Sequence, residues 1–158
     1  MERFGQFYSE NKEKLFGYLL RKSGSTHLAA DLVQESYTRY IERYRHQELS
    51  VALLFTIARN IFLDHVRNQR PQADIDDIPA GMADDQEHLF IRREESRQIL
   101  AALQQLDEED RDILSLIASS GLTYREIATI KNCSEGSIKV RVHRARQKLR
   151  AILPAESL

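Results

Sequence analysis

Apolar residues recur at helical spacing along the whole chain, and this periodicity is the feature that most limits its fold. In the first 70 residues they form three stripes with steps of three and four residues, which is typical of amphipathic helices. No segment shows the alternation expected of a strand. The sequence therefore predicts an all-α protein whose first three helices close one small core. The stripes comprise Phe4, Phe7, Tyr8, Leu15, Tyr18 and Leu19; Leu28, Leu32, Val33, Tyr37, Tyr40, Ile41 and Tyr44; and Val51, Leu54, Phe55, Ala58, Ile61, Phe62 and Val66.

A change of composition divides the chain in two. Residues 71–86, PQADIDDIPAGMADDQ, hold two of the three prolines, one glycine and five acids, as a flexible linker would. The sequence thus predicts two small helical domains, residues 1–70 and 87–158, joined by an acidic linker at 71–86. Domains of this size bury only about 60% of their unfolded surface, so each is expected to be marginally stable alone.

The net charge of −1 argues at first against a nucleic-acid-binding protein. Its distribution weakens that argument: residues 1–70 carry eleven basic and eight acidic residues, 71–98 three and eight, and 99–158 nine and eight. Five acids at 107–112 begin a predicted helix, where the positive end of the dipole favours them. Residues 139–150 hold six basic residues and no acidic one. Two basic lobes flank an acidic connector, a pattern that solvated faces also explain.

The number of cysteines, the length of the apolar runs and the N-terminal sequence exclude several classes of protein. The single cysteine, Cys133, excludes a disulfide framework and a zinc site built on several cysteines. No apolar run approaches the ~20 residues that span a bilayer. The N-terminal MERFGQFYSENKEKLF lacks the apolar core of a secretory signal. We therefore expect a cytoplasmic protein.

Residues 122–150 have the pattern of a helix-turn-helix, whose second helix enters the DNA major groove. Thr123 and Glu126 are spaced as a capping box, and Ser134 can cap the second helix. Between them, Asn132 suits a turn with left-handed backbone. The predicted packed side comprises Ile127, Ala128, Ile130, Ile138, Val142, Ala145 and Leu149.

The outer side of this second helix is basic. It carries Lys139, Val140, His143 and Arg144, with Arg141, Arg146 and Lys148 beside them. Such cations can neutralise phosphates, and arginine can also bind paired acceptors on guanine. A basic C-terminal helix that only faces solvent or a protein is the alternative, because cations there suit the helix dipole.

Three sequence blocks together resemble a known family. They are ADLVQESY at 30–37 with the aromatic-rich 40–44, FTIARNIFLDHVR at 55–67, and 106–150, where LDEEDRDILSL precedes LTYREIA and GSIKVRVHRARQKLR. In this order, with an acidic linker before the third, they resemble the extracytoplasmic-function (ECF) sigma factors, the two-domain class of the sigma-70 family. The resemblance covers nearly the whole chain, with residues 1–70 as sigma region 2 and 87–158 as region 4.

The resemblance implies a transcription initiation factor and no enzyme. Such a protein binds core RNA polymerase, recognises the minus-ten and minus-thirty-five promoter elements and promotes DNA melting, without a cofactor, metal or small-molecule substrate. It also implies an anti-sigma factor as partner, which can hold the protein at the inner face of the membrane. The family's linker threads near the polymerase active-site cleft and mimics nucleic acid, a role that the acids at 74, 76, 77, 84 and 85 would take here.

The resemblance also assigns residues. The outward polar face of the second helix would bind core polymerase through Asp31, Gln34, Glu35 and Thr38. The third helix would contact the minus-ten element through Arg59, Asn60, Leu63, Arg67 and Asn68, with Asn60 at an unstacked base. Because tryptophan is absent, stacking on that base would fall to Tyr44, Phe55 or Phe62, of which Phe55 is expected in the core. The minus-thirty-five element would be contacted by Thr123, Tyr124, Arg125, Lys139, Val140, Arg141, His143, Arg144 and Arg146.

Two other functions fit parts of the sequence. A helix-turn-helix regulator that acts without core polymerase would use only the second domain. An enzyme would need more than the pairs His27 with Asp31 and Asp64 with His65, which have no third catalytic partner in the sequence. Cys133 can be a redox sensor, although a small residue that fills the turn is the simpler interpretation.

Overall fold

The computed structural model describes residues 2–68, 86–119 and 121–154, which form seven helices and no strand. The helices are α1 (Glu2–Ser23), α2 (Thr26–Tyr44), α3 (Val51–Asn68), α4 (Gln86–Gln105), α5 (Glu108–Ser119), α6 (Tyr124–Lys131) and α7 (Glu135–Ile152). We call α1–α3 the first lobe and α4–α7 the second lobe. The predicted all-α class and its two helical units are confirmed.

The first lobe packs its three apolar stripes against one another. Ser25 caps α2 by accepting a hydrogen bond from the Leu28 N–H at 3.2 Å, after Gly24 reverses the chain at φ 72°. Aromatic rings fill the space between α1 and α2, including the Tyr8–Tyr37 pair with ring centres 4.6 Å apart. Tyr40 is fully buried, and its hydroxyl accepts a hydrogen bond from the Ser50 N–H, which positions the start of α3.

The predicted helix-turn-helix is confirmed in its caps and its packed side. The capping box of α6 is complete, because Thr123 Oγ1 accepts from the Glu126 N–H while Glu126 accepts from the Thr123 N–H. Asn132 adopts the left-handed conformation at φ 55° and ψ 52°. Ser134 caps α7 through the Ser137 N–H. The predicted inner residues are buried, with Leu149 half-buried: Ile127, Ala128, Ile130, Ile138, Val142 and Ala145.

The two lobes pack on each other. Helix α1 lies against α5 and α4, and α3 lies against α6, so that buried apolar residues of both lobes form one continuous cluster. The sequence predicts two lobes on a tether but gives no sign of this contact. The predicted linker, 71–86, falls almost wholly on residues outside the described ones, as does the proposed role of its acids.

Two apolar residues of the predicted stripes are instead exposed. Ile41 is 38% exposed, and Val66 is similarly open. For Ile41 the reason is Ser36, which is fully buried and donates to the Leu32 carbonyl at 2.6 Å. The buried face of α2 is centred on Ser36 and Tyr40, and Ile41 is turned by about 100° from Tyr40. A stripe judged from apolar residues alone misses a buried serine.

Within the described ranges, no helix combines the length and the apolar character that crossing a bilayer requires.

Candidate nucleic-acid interface

The outer face of α7 presents the side chains predicted to contact the minus-thirty-five element. Lys139, Val140, His143, Arg144 and Arg146 are all exposed, and Val140 is 49% exposed although it is apolar. The buried positions of α7, Ile138, Val142 and Ala145, hold the opposite side against the second lobe. This packing leaves a continuous basic face with one apolar side chain near its centre.

Arg141 differs from its neighbours on α7. It is half-buried, and its guanidinium donates to Glu109 of α5 at 3.3 Å. Lys148 similarly binds Asp110 at 2.7 Å, and this hydrogen bond raises the pKa of Lys148. The acids that begin α5 thus neutralise one side of α7, while the side with Arg144 projects away from the second lobe's packed face.

The start of α6 carries the other residues predicted at this element. Thr123 and Arg125 are exposed, whereas Tyr124 is half-buried and packs on the core. The backbone N–H groups of Thr123 and Glu126 are engaged in the capping box. The Thr123 hydroxyl also donates to Glu126, so a phosphate at this helix start would meet the side chain of Arg125 first.

A pocket opens on the first lobe between α2 and α3. Its volume is about 360 Å³, within the range of about 300–1,000 Å³ for small-molecule sites. The α3 side brings together Asn60, Leu63 and Arg67, three of the residues predicted at the minus-ten element. The full lining is Arg39, Arg43, Tyr44, Ile57, Asn60, Leu63, Asp64 and Arg67.

The pocket distinguishes the three aromatic candidates for base stacking. Phe55 and Phe62 are buried in the core, and Phe55 packs on Tyr18 with ring centres 5.4 Å apart. Tyr44 is half-buried and lines the pocket. Tyr44 is the aromatic ring available to an inserted base, and the expected core position of Phe55 is observed.

Both arginines that α2 contributes to the pocket escaped the sequence analysis. Arg39 and Arg43 line the pocket from α2, one helical turn apart, and supply cations opposite Asn60. Their spacing of four residues, with Tyr40 and Tyr44 on the same helix, is the signal that could have found them. The last turns of α2 form this wall of the pocket.

The predicted polymerase-binding face of α2 lies on the surface. Asp31, Gln34, Glu35 and Thr38 are all exposed. Glu35 binds Arg39 at 3.1 Å, and the Gln34 amide donates to the Tyr8 hydroxyl at 3.5 Å. These contacts orient two of the four side chains on a rigid helix, as a docking surface requires.

Arg59 lies away from the other predicted minus-ten residues. Its Nε donates to Asp112 Oδ2 on α5 at 3.0 Å, so it faces the second lobe and not the pocket. Asn60 and Arg67 are exposed and line the pocket, and Asn68 is exposed at the end of α3. The sequence predicts Arg59 on a common exposed side with Asn60, whereas the structure separates the two side chains.

Asp112 is the centre of a charge cluster between the lobes. It is 1% exposed, and it accepts a hydrogen bond from the Tyr18 hydroxyl at 2.6 Å. Lys22, also fully buried, lies 3.0 Å from Asp112 and binds Glu108 as well. Lys131 of α6 binds Asp112 at 2.5 Å and Glu109 at 2.7 Å.

The cluster shifts the pKa values of its members. Burial raises the pKa of Asp112, but the charges of Lys22 and Lys131 outweigh it, and the pKa lies well below its usual range. Burial, followed by the charge of Asp112, raises the pKa of Tyr18. For Arg59, burial lowers the pKa and Asp112 more than offsets this. Asp112 is therefore ionised and Arg59 charged at neutral pH.

The sequence analysis assigned Asp112 to a favourable helix start and did not identify the cluster. The available signal was on α1, where Lys22 continues the buried spacing of Leu15, Tyr18 and Leu19. A lysine on the apolar face of a helix needs a buried anion. The sequence does not reveal that the anion lies ninety residues away.

In the described parts of the chain, no three His, Cys, Asp or Glu side chains lie together as a metal site would require. Cys133 is half-buried in the turn and packs on the core, as a filling residue would.

Two segments of the chain match models of known protein families. Residues 7–72 match the model of Sigma-70 region 2, and residues 96–149 match that of Sigma-70, region 4. The ECF RNA polymerase sigma factor SigM of Bacillus subtilis is 30% identical over 152 residues, covering 93% of this chain and 93% of its own. The sigma factor EcfG of Rhodopseudomonas palustris is 37% identical, covering 88% of this chain and 78% of its own.

A solved structure has the same fold. It is the sigma factor RpoE from Bartonella quintana, in complex with the anti-sigma factor NepR, at 26% identity and a TM-score of 0.76. The match covers 96% of this chain and 97% of that one. A two-lobed helical protein with sigma regions 2 and 4 is a promoter-recognition factor of the sigma-70 type. The chain belongs to the ECF RNA polymerase sigma factors.

Proposed function

We propose that this sigma factor docks on core polymerase through the α2 face, inserts one unstacked promoter base into the α2–α3 pocket and reads the minus-thirty-five element with α7. The observation that carries the proposal is the pocket, which joins Asn60, Leu63 and Arg67 to a tyrosine and two arginines of α2. An unstacked base needs an aromatic ring to stack on, a polar side chain that hydrogen-bonds to its edge, and cations that bind its phosphates. Tyr44, Asn60 and the arginines supply these in turn.

The same surfaces argue against a regulator that acts without polymerase. Such a protein has no use for a base-sized pocket on the first lobe or for the exposed α2 face of Asp31, Gln34, Glu35 and Thr38. We assign no reaction to the chain. Its site of action would be the cytoplasm, with an anti-sigma factor as partner and with retention at the inner membrane face through that factor. The RpoE structure supports the anti-sigma partner, since that relative is bound to one.

Binding of the holoenzyme to a fluorescent single-stranded minus-ten oligonucleotide tests the pocket. Tyr44→Ala should weaken binding by about 1–3 kcal/mol, the typical contribution of stacking a base on an aromatic ring. Asn60→Ala should weaken it as well and relax the preference for the inserted base. Both effects should vanish on an oligonucleotide that lacks that base.

Arg43 and Arg45 form a matched pair for this experiment. Both are exposed arginines at the end of α2, but only Arg43 lines the pocket. Arg43→Ala should weaken binding more than Arg45→Ala, although each removes one charge. Equal losses would mean that the arginines act only through the general field of the lobe, and the pocket assignment would then fail.

A further inference from the structure

We propose that Glu109 is a positioning residue for promoter recognition: it neutralises Arg141, so that α7 distinguishes the minus-thirty-five element more sharply from unrelated DNA. Glu109 lies in the first turn of α5 and belongs to neither helix of the helix-turn-helix. Its Oε1 accepts from the Arg141 guanidinium of α7 at 3.3 Å and from the Lys131 ammonium of α6 at 2.7 Å. The inference rests on the proposed function, because the reading of this element by α7 is part of it.

The Glu109–Arg141 pair lies at the edge of the basic face of α7. The side chain of Arg141 is 40% exposed and that of Glu109 is 52% exposed, so both groups are open to water. Arg141 follows Val140 directly and precedes Arg144 by three residues, which places it beside the residues expected to contact bases. A carboxylate at this edge therefore lowers the positive charge that a phosphate beside α7 meets.

Lys131, the other partner of Glu109, has a second anion. Its side chain is 2% exposed, and it binds Asp112 Oδ2 at 2.5 Å. Lys131 therefore remains paired when Glu109 loses its charge. Removing the charge of Glu109 thus frees the charge of Arg141 and leaves the second cation neutralised.

Neutralising Arg141 affects unrelated DNA more than the promoter element. Binding to unrelated DNA depends on phosphate contacts and has no fixed register, so the helix can shift until each free cation meets a phosphate. At the element, base contacts of Arg144 and Val140 would fix the register. A free Arg141 would then meet only the phosphate that this register offers. Glu109 therefore lowers the affinity for unrelated DNA by the larger factor.

Arg141 keeps a role at the element although it is neutralised. A guanidinium has five N–H donors, and the hydrogen bond to Glu109 uses the Nη1 group. The other donors can reach a phosphate oxygen in the fixed register. Because Glu109 already holds the guanidinium, less side-chain entropy is lost when that hydrogen bond forms. Arg141 thus becomes a short-range, directional contact.

Binding of the full-length chain to a scrambled duplex at several salt concentrations tests the neutralisation. Glu109→Gln keeps the shape and an acceptor oxygen but removes the charge. One further phosphate contact should steepen the slope of log K against log salt by about 0.9 and strengthen binding about fivefold at about 0.15 M salt. Damage to the fold would weaken binding instead. An unchanged slope would overturn the proposal.

A duplex that carries the minus-thirty-five element provides the second readout. Glu109→Gln should strengthen binding to this duplex less than binding to the scrambled one, so the ratio of the two affinities should fall. A steeper slope with an unchanged ratio would overturn the role of Glu109 in specificity. If the native chain binds both duplexes equally, alone and in the holoenzyme, the proposed function fails, whereas the slope on the scrambled duplex still decides whether Glu109 neutralises Arg141.

Two variants of α5 serve as matched controls. Asp110→Asn removes the same charge from the next residue and frees Lys148, which is 56% exposed and lies two turns beyond Arg141 on α7. Its slope should change less, because the first turns of a recognition helix are the part that meets the DNA bases. Glu109→Asp retains the charge and should keep a slope close to native. Equal slopes for Glu109→Gln and Asp110→Asn would show that the acids act only through the general field of the lobe, and the assignment to Arg141 would fail.

A double-mutant cycle with Arg141→Ala tests whether Glu109 acts through Arg141. In the Arg141→Ala chain, Glu109→Gln should no longer strengthen binding to the scrambled duplex or steepen its salt slope. The same strengthening in both backgrounds would show that Glu109 acts through another cation, and the proposal would be wrong.

Discussion

At the scale of single residues, two arginines on one helix differ because of what each contacts. Arg141 and Arg144 both belong to the basic run of α7, yet Arg141 binds Glu109 and is half-buried, whereas Arg144 lies on the exposed face with Val140. A cation that is already paired with a carboxylate of the protein attracts a phosphate less strongly. Sequence-specific contact is therefore expected from Arg144 and Val140, with Val140 suited to the methyl group of thymine.

Arg144→Ala should weaken recognition of the minus-thirty-five element by about 1–3 kcal/mol, since a bidentate arginine–guanine contact has that value. The measurement is binding to a duplex that carries the element and to one in which it is scrambled. Arg150→Ala, an exposed arginine farther along α7, is the control for charge alone. An equal loss of binding free energy on both duplexes would show that Arg144 contacts only phosphate.

At the scale of elements, the sequence predicted the local structure of caps and turns but not the contacts between distant helices. The capping box at Thr123, the left-handed Asn132 and the Ser134 cap were all predictable, because each depends on neighbours within a few residues. The direction of the Arg59 side chain was not predictable, because its partner Asp112 is 53 residues away and lies in the other lobe. Likewise, Arg39 and Arg43 become pocket residues only when α2 packs beside α3.

The α2 helix supports a prediction of its own. Gln34→Ala together with Glu35→Ala should weaken co-purification with core polymerase, because both side chains lie on the exposed face and neither is part of the core. Circular dichroism and thermal unfolding should remain close to native. The matched control is Glu13→Ala, which changes an exposed acid on α1, a different helix of the same lobe. Full retention of core by the double variant would refute the assignment of this face.

At the scale of the whole molecule, the two lobes share one apolar cluster and one charge cluster. Small lobes bury little surface alone, so their contact is expected to supply part of the stability of the free chain. Acids of α5 pair with cations of α1, α3 and α7.

The charge cluster around Asp112 predicts that the protein loses stability in acid. The pKa of Asp112 is lowered in the folded chain, below its ordinary value of 3.8, because Lys22 and Lys131 outweigh the effect of burial. Its charge therefore stabilises the fold fully above the unfolded pKa, and this contribution is lost as the pH falls from about 4 through the lower folded pKa.

Urea unfolding of native chain and of Asp112→Asn should differ most near neutral pH and converge as the pH falls below about 4. Asp110→Asn should stay close to the native chain at neutral pH, since Asp110 pairs with the exposed Lys148. A difference between native chain and Asp112→Asn that persists undiminished to the lowest pH would show that the Asp112 charge does not stabilise the fold.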